Sequence, residues 1–332
     1  MSRIHIVARN NGAGLSHDLR ILAGALGDAG LDVTVSAVGQ GGLRRHLRYL
    51  QLRGKLALAR WRGGPAQGRF DVNITLERIW RKYPSLAWRN VLIPNPEWFK
   101  PEYVRHIGAI DRVFVKTHHA VPIFAALGCR TDYVGFTSDD RLLLWEPREA
   151  TFFHLAGRSG NKGTQPLVDL WLRHPEWPLL TLVQRDKLPV PLPAAPNLCY
   201  ITRYLPDEEL RVLQNRHLFH LCPSETEGFG HHLVEATSVG AIVLTTAAPP
   251  MNELVQPEYG LLVPYARTAT QHLARTYFVD AQALEATIER ARALDANERK
   301  LLSERARAWY ESNDADFRRR IVAAVDALAC SA

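Results

Sequence analysis

Apolar residues fall along this chain in short blocks alternating with longer stretches of helical spacing. IHIVA, then SHDLRILAGALGDAG with apolar positions three and four apart, then LDVTVSAV, predict a strand, a helix and a second strand, with Ser16 as helix cap and Gly30 as stop. DVNITL, NVLIPN, DRVFVKT and TDYVGF continue the series as short apolar runs. After the charged stretch TSDDRLLLWEPREA a second series begins: TFFHLAG, PLLTLVQ, NLCYIT, HLFHLCPS, AIVLTT and GLLVPY. From Asp280 the spacing is helical nearly to the end. Near-continuous apolar strands separated by helices predict mostly parallel sheets covered on both faces, an α/β class. The expected organisation is a first domain at 1–140, a second at 150–305 and a closing helix at 306–332, with 138–150 as linker. No internal repeat and no low-complexity tract interrupts this pattern.

Length agrees with two domains, since 332 residues with 46% hydrophobic content exceed what one core of roughly 250 residues holds. The opening residues run straight into a strand, and no uncharged apolar stretch of about 18 residues follows, so the expectation is a soluble, cytoplasmic protein. Cys129, Cys199, Cys222 and Cys330 are scattered without the close pairs of zinc or redox motifs, and are expected to be reduced. Charge changes the picture more. Between Asp32 and Asp71 there is no acid but eight cations, Arg44, Arg45, Arg48, Arg53, Lys55, Arg60, Arg62 and Arg69, so the formal charge of +7 resides there. With Leu43, Leu47, Leu50 and Trp61 nearby, the 44–62 segment reads either as a solvated helix or as a basic amphipathic element touching an anionic surface.

Two doubly wound domains place ligands outside the carboxyl ends of their strands, so the cleft between them is the expected site. The segment TEGFGHHLVEA carries the sharpest signal. Glu227 stands on a turn and Glu235, eight positions on, lies about one and a half turns into a helix that starts near Gly230. Between them Gly228, Phe229, Gly230 and His231 bring free backbone N–H groups and a positive helix end to one place, which suits a phosphate flanked by hydroxyls. A helix cap at Glu227 and a surface ion pair at Glu235 remain the plainer alternative. In HLAGRSGNKGT, Arg158 and Lys162 are suited to balance a diphosphate leaving group without a metal, or are ordinary surface cations on a glycine-rich turn. NNGAGLSHD offers Gly12, Gly14 and Ser16 after the first strand; His17 stands where a dinucleotide fingerprint would need a third glycine, which excludes a dehydrogenase. Glu77, Asn95, Glu97, His118 and His119 follow strands of the first domain and are candidates for an acceptor side. Adjacent histidines on a regular element cannot both face one ligand.

The segments AGRSGNKG, NLCYITRYLPDEEL, HLFHLCPSETEGFGHHLVEATSVGAIVLTT, NEL and GLLVP, in that order over about 152–265, resemble the GT-B glycosyltransferases, and more narrowly the retaining family 4, or glycosyl transferases group 1. The resemblance implies two Rossmann-like domains facing each other across a cleft, with C-terminal helices crossing back to the first. It further implies that Glu227 meets donor sugar hydroxyls, Glu235 the ribose, and Arg158 with Lys162 the diphosphate. The interval from Arg158 to Lys162 is a residue shorter than the common family form, and Glu77 stands in place of the family's histidine pattern. The implied activity is transfer of a sugar from a nucleoside diphosphate sugar to an acceptor hydroxyl with retention of configuration. No cofactor and no metal is called for. A glycan, a lipid-linked carrier or another acidic acceptor suits the basic 44–62 segment, which also allows peripheral contact with the inner membrane face. Other readings are a sugar-nucleotide epimerase or phosphorylase on the same fold, and a non-catalytic basic protein that binds nucleic acid or anionic membrane.

Overall fold

The computed structural model describes residues 2–9, 14–38, 42–185 and 193–330. The chain divides into two compact units, one of residues 1–137 with 314–332, the other of residues 138–313.

The first unit runs β1 (Arg3–Arg9), α1 (Gly14–Asp28), β2 (Asp32–Val38), α2 (Gly42–Gly63), β3 (Phe70–Leu76), β4 (Ala87–Ile93), α3 (Pro101–Val104), β5 (Arg112–Val115), α4 (Ala120–Ala125) and β6 (Thr131–Tyr133). Its strands form one parallel sheet in the order β2-β1-β3-β4-β5-β6, so the order reverses between β1 and β3. Strands such as β3 are buried almost throughout, as the unbroken apolar runs predict. A polar ladder nevertheless crosses the sheet. His5 on β1 lies 2.7 Å from Asn73 Oδ1 and 2.8 Å from Ser36 Oγ, and Asn73 donates to Asn90 Oδ1 at 3.0 Å. Burial lowers the His5 pKa to about 4, so the ring is neutral and its Nδ1–H donates to Asn73.

The second unit runs β7 (Glu149–Gly157), α5 (Thr164–Arg173), β8 (Leu180–Gln184), β9 (Leu198–Ile201), α6 (Asp207–Arg216), β10 (His217–Cys222), α7 (His231–Ser238), β11 (Ile242–Thr246), α8 (Met251–Leu254), β12 (Gly260–Val263), β13 (Tyr265–Gln271), β14 (Ala274–Val279) and α9 (Ala281–Ala293). Its six-stranded parallel sheet has the order β12-β11-β10-β7-β8-β9, with the reversal between β7 and β10. Trp171 anchors the core on one face, edge-on to Phe152 and Trp177. β13 and β14 form a separate antiparallel hairpin that the apolar pattern does not announce.

The stretch expected as linker is built into this unit. Arg141 is buried, donates to both carboxylate oxygens of Asp207 at 2.7 and 2.9 Å, and reaches Gln214 Oε1 at 2.8 Å. Helix α10 (Ala296–Ala329) begins in the second unit and ends in the first. There Phe317, Ile321 and Val325 are fully buried at four-residue spacing, and Phe317 packs 4.8 Å from Phe136. This matches the expectation that the C-terminal helical region returns to the first domain.

Candidate functional site

In each sheet the carboxyl ends at the reversal of strand order form the natural ligand crevice, because the loops diverge there. In the second unit these are the loops after β7 and β10. They carry Arg158 and Lys162 on one side and Glu227 to Gly230 on the other. The backbone ties them together, Glu225 N–H donating to Asn161 O at 2.9 Å. The β13–β14 hairpin braces both: Tyr277 N–H donates to Glu225 O at 2.7 Å, and Asn161 Nδ2 to Gln271 Oε1 at 2.8 Å.

Across this crevice Lys162 Nζ donates to Glu227 Oε1, an ion pair whose side chains are 14% and 12% exposed. The ammonium also reaches His232 Nδ1 at 3.2 Å, while His232 Nε2 lies 3.1 Å from Ser224 Oγ and 3.8 Å from Glu227 Oε1. Burial, reinforced by the Lys162 charge, holds the His232 pKa well below its ordinary value. The imidazole is therefore neutral, accepts at Nδ1 from the ammonium and donates from Nε2 to Ser224. Its neighbour His154, lowered to about 4 by burial, accepts from Thr164 Oγ at the start of α5 and donates to Leu221 O.

Two helix N-termini open beside the pair. Gly163 (φ 64°) precedes α5 and Gly230 (φ 103°) precedes α7; both are left-handed, where a side chain is strained. A Cβ on Gly163 would lie 2.3 Å from Pro223 O, and one on Gly230 2.9 Å from Leu233 Cδ1. The bends that aim Lys162 and Glu227 at each other thus depend on glycine.

The remaining second-unit candidates lie around this pair in different settings. Arg158 is exposed on the β7 loop. Gly228 sits in the turn, and Phe229 beside it is buried, edge-on to His231 at 5.4 Å. His231 points elsewhere than its neighbour, its Nδ1 lying 2.6 Å from Ser138 Oγ. Glu235 is buried within α7 and accepts from Gln214 Nε2 at 2.8 Å, which links it to Arg141. Sequence reading passed over His232 and Gln214; a second histidine directly after the helix start was the available signal for the first.

In the first unit Gly12 lies outside the described residues. Gly14 opens α1, and Ser16 is the helix's third residue instead of its cap. The helix starts three residues earlier than a cap at Ser16 implies. Around the carboxyl ends of this sheet the ion pair Lys116–Asp18, at 2.5 Å, is almost wholly buried, and Lys116 also donates to Asn95 Oδ1 at 3.1 Å. Glu77, at a left-handed φ of 66°, directly follows β3 beside this group. Burial raises its pKa against the opposing pull of Arg78, Lys116 and Arg9. Glu97 is buried, and His118 stacks on Tyr133 at 3.6 Å while His119 stands at the N-cap position just before α4. Lys116 and Asp18 were not singled out from sequence, being 98 residues apart. Among the described residues no cluster of three His, Cys, Asp or Glu side chains suits a metal ion.

Residues 195–309 match the family described as Glycosyl transferases group 1, a stretch lying wholly within the second unit and containing Glu227 and Glu235. The second unit thus contains a stretch similar to the group 1 glycosyl transferases. No curated protein matches the chain by sequence. Among solved structures, a glycosyltransferase from Rickettsia africae ESF-5 superposes with a TM-score of 0.71 at 14% identity, covering 98% of both chains. Anabaena HepE, determined in complex with UDP-glucose, superposes with a TM-score of 0.70 at 14% identity, over 98% of this chain and 100% of that one. An OtsA apo structure gives 0.63 at 12% identity over 98% and 99%. The chain therefore has the GT-B fold, with the stretch similar to group 1 inside its second unit.

Proposed function

We propose that this glycosyltransferase moves a sugar from a nucleoside diphosphate sugar to an acceptor hydroxyl, with retention of configuration and without a metal. The observation that carries the reading is the Lys162–Glu227 pair at the strand-order reversal, flanked by the starts of α5 and α7. In this pair each ion neutralises the other. A donor would separate their tasks, the ammonium moving to the diphosphate and the carboxylate accepting from sugar hydroxyls. Arg158, exposed on the same loop, adds a guanidinium for the phosphates. Neutral His232 orients the lysine without adding charge, and Glu235 accepts from the ribose while Gln214 fixes its carboxylate. Catalysis then comes from positioning and from stabilising the departing diphosphate, whose oxygen takes the acceptor proton. The acceptor is a glycan or a lipid-linked carrier, bound by the first unit near Glu77 and His118.

Anabaena HepE binds UDP-glucose on a similar fold, which makes that donor the first to test. A thermal-shift panel of nucleotide sugars should show stabilisation by at least one uridine diphosphate sugar, lost in Glu227→Ala. Lys162→Met should lower turnover by about 10²–10³-fold, as expected when one stabiliser of developing charge is removed. Anomeric analysis of the product by NMR tests retention. Donor epimerisation without transfer, or phosphate-dependent cleavage, would replace the reading with an epimerase or a phosphorylase.

A further inference from the structure

Helix α2 has two apolar stripes, and only one of them meets the core. Leu56 is buried, and Tyr49 and Leu52 pack beside it against Phe70, Trp80 and Tyr83. With about 100° between successive residues, Leu47, Leu50, Leu58 and Trp61 fall within an arc of about 80° on the opposite side. All four are exposed, Trp61 by 82%. Cations border this outer stripe on both flanks, Arg48, Lys55 and Arg62 along one and Arg53 and Arg60 along the other. The helix sequence holds seven cations and no acid.

The basic surface continues beyond the helix. On the Arg53 flank, Lys82 Nζ lies 3.1 Å from His46 Nδ1 and over the Tyr49 ring. Lys82 also lines a concavity of about 400 Å³ with Arg78, Arg81, Arg105 and His106, where Glu102 is the sole acid. Leucines and a tryptophan between rows of long cations match the layers of an anionic bilayer surface: acyl chains under the stripe, phosphates beside it. A second copy of the same face would set cation against cation, and a nucleic acid backbone would leave the three leucines without an apolar partner. No described helix is long and apolar enough to cross a membrane, so the contact is peripheral.

We propose that α2 and the adjoining basic concavity form a docking face for anionic phospholipid, holding the enzyme at a membrane surface. The proposal is independent of the donor reading, because none of these residues belongs to the Lys162–Glu227 site.

The test is co-sedimentation of the whole protein with vesicles of phosphatidylcholine alone or mixed in equal parts with phosphatidylglycerol, at about 0.1 M salt. Binding is expected with the mixed vesicles only. Each cation near an anionic surface counts for roughly fivefold in affinity, so Arg53→Gln with Arg60→Gln should weaken binding about thirtyfold. Leu58→Gln with Trp61→Ser should weaken it about tenfold or more through lost apolar insertion. Both double variants should keep the wild-type melting temperature and soluble donor binding, since the changed side chains are exposed. Brominated phosphatidylcholine in the mixed vesicles should quench a component of the fluorescence that Trp61→Phe removes. Equal binding to both vesicle types, binding to neither, or unchanged binding by the Leu58→Gln, Trp61→Ser variant would overturn the proposal. So would a Trp61-dependent dimer that ignores vesicles, or tighter retention on a single-stranded oligonucleotide than on mixed vesicles.

Discussion

Replacing Gly163 by alanine tests how the Lys162–Glu227 crevice is held. Two separate costs are expected. The left-handed backbone at φ 64° penalises any Cβ by about 1–2 kcal/mol. The new methyl group would also sit 2.3 Å from Pro223 O, a backbone atom that cannot rotate away. Overpacking of that kind adds about 1–3 kcal/mol, giving roughly 2–5 kcal/mol together. A unit of this size loses about 2–4 °C of melting temperature per kcal/mol, so calorimetry should find the variant roughly 4–20 °C below wild type. Gly157 is the matched control. It lies at the other end of the same loop with φ 60°, but a Cβ there meets nothing within 4 Å. Gly157→Ala carries the backbone cost alone, a fall of roughly 2–8 °C. Relieving the clash must part the β7 and β10 loops, so Gly163→Ala alone should also weaken binding, by calorimetric titration, of whichever nucleotide sugar stabilises the wild type in the thermal-shift panel. If the two variants melt together and bind donor alike, the steric reasoning is wrong.

Acid should destabilise the fold through its buried imidazoles. His5, His154 and His217 have pKa values of about 4 and His220 of about 3, all lowered by burial below an ordinary value of 6.5. The unfolded chain therefore binds more protons between these limits, so stability is full above pH 6.5 and falls progressively to about pH 4. Each histidine contributes a slope of about 1.4 kcal/mol per pH unit; urea melts showing no decline over this window would contradict the burial. Lys116→Met should strand the buried Asp18 carboxylate and cost about 3–5 kcal/mol in urea unfolding, with Asp18→Asn in the same chain restoring much of the loss. In the native protein a thiol reagent should modify exposed Cys199 and Cys330 quickly while sparing Cys222, whose pKa burial pushes up to about 12; rapid reaction of Cys222 would contradict that placement.

Both sheets were legible because strands buried on two faces leave unbroken apolar runs, as in DVNITL and HLFHLC. The turn before α7 was legible too, since Gly-Phe-Gly followed by an apolar helix leaves few conformations for Glu227. Tertiary pairing was not. Lys116 reads as one more cation after a strand until Asp18, 98 residues earlier, is brought against it. Arg141 sits in a charged stretch resembling a linker, and only the folded α6 supplies the carboxylate and amide its guanidinium needs. The β13 strand is exposed along nearly its whole length, so YARTATQ shows no apolar alternation. His232 escaped notice because its role depends on Lys162, which reaches it from another loop.

Because residues 314–330 complete the unit that begins at the N-terminus, that unit is assembled out of chain order. On the ribosome the stretch 138–313 is synthesised whole before Phe317, Ile321 and Val325 exist to cover Phe136. The middle of the polypeptide is thus able to reach its native state while the beginning still waits for the last helix, leaving the nascent N-terminal sheet the part most in need of chaperone shelter.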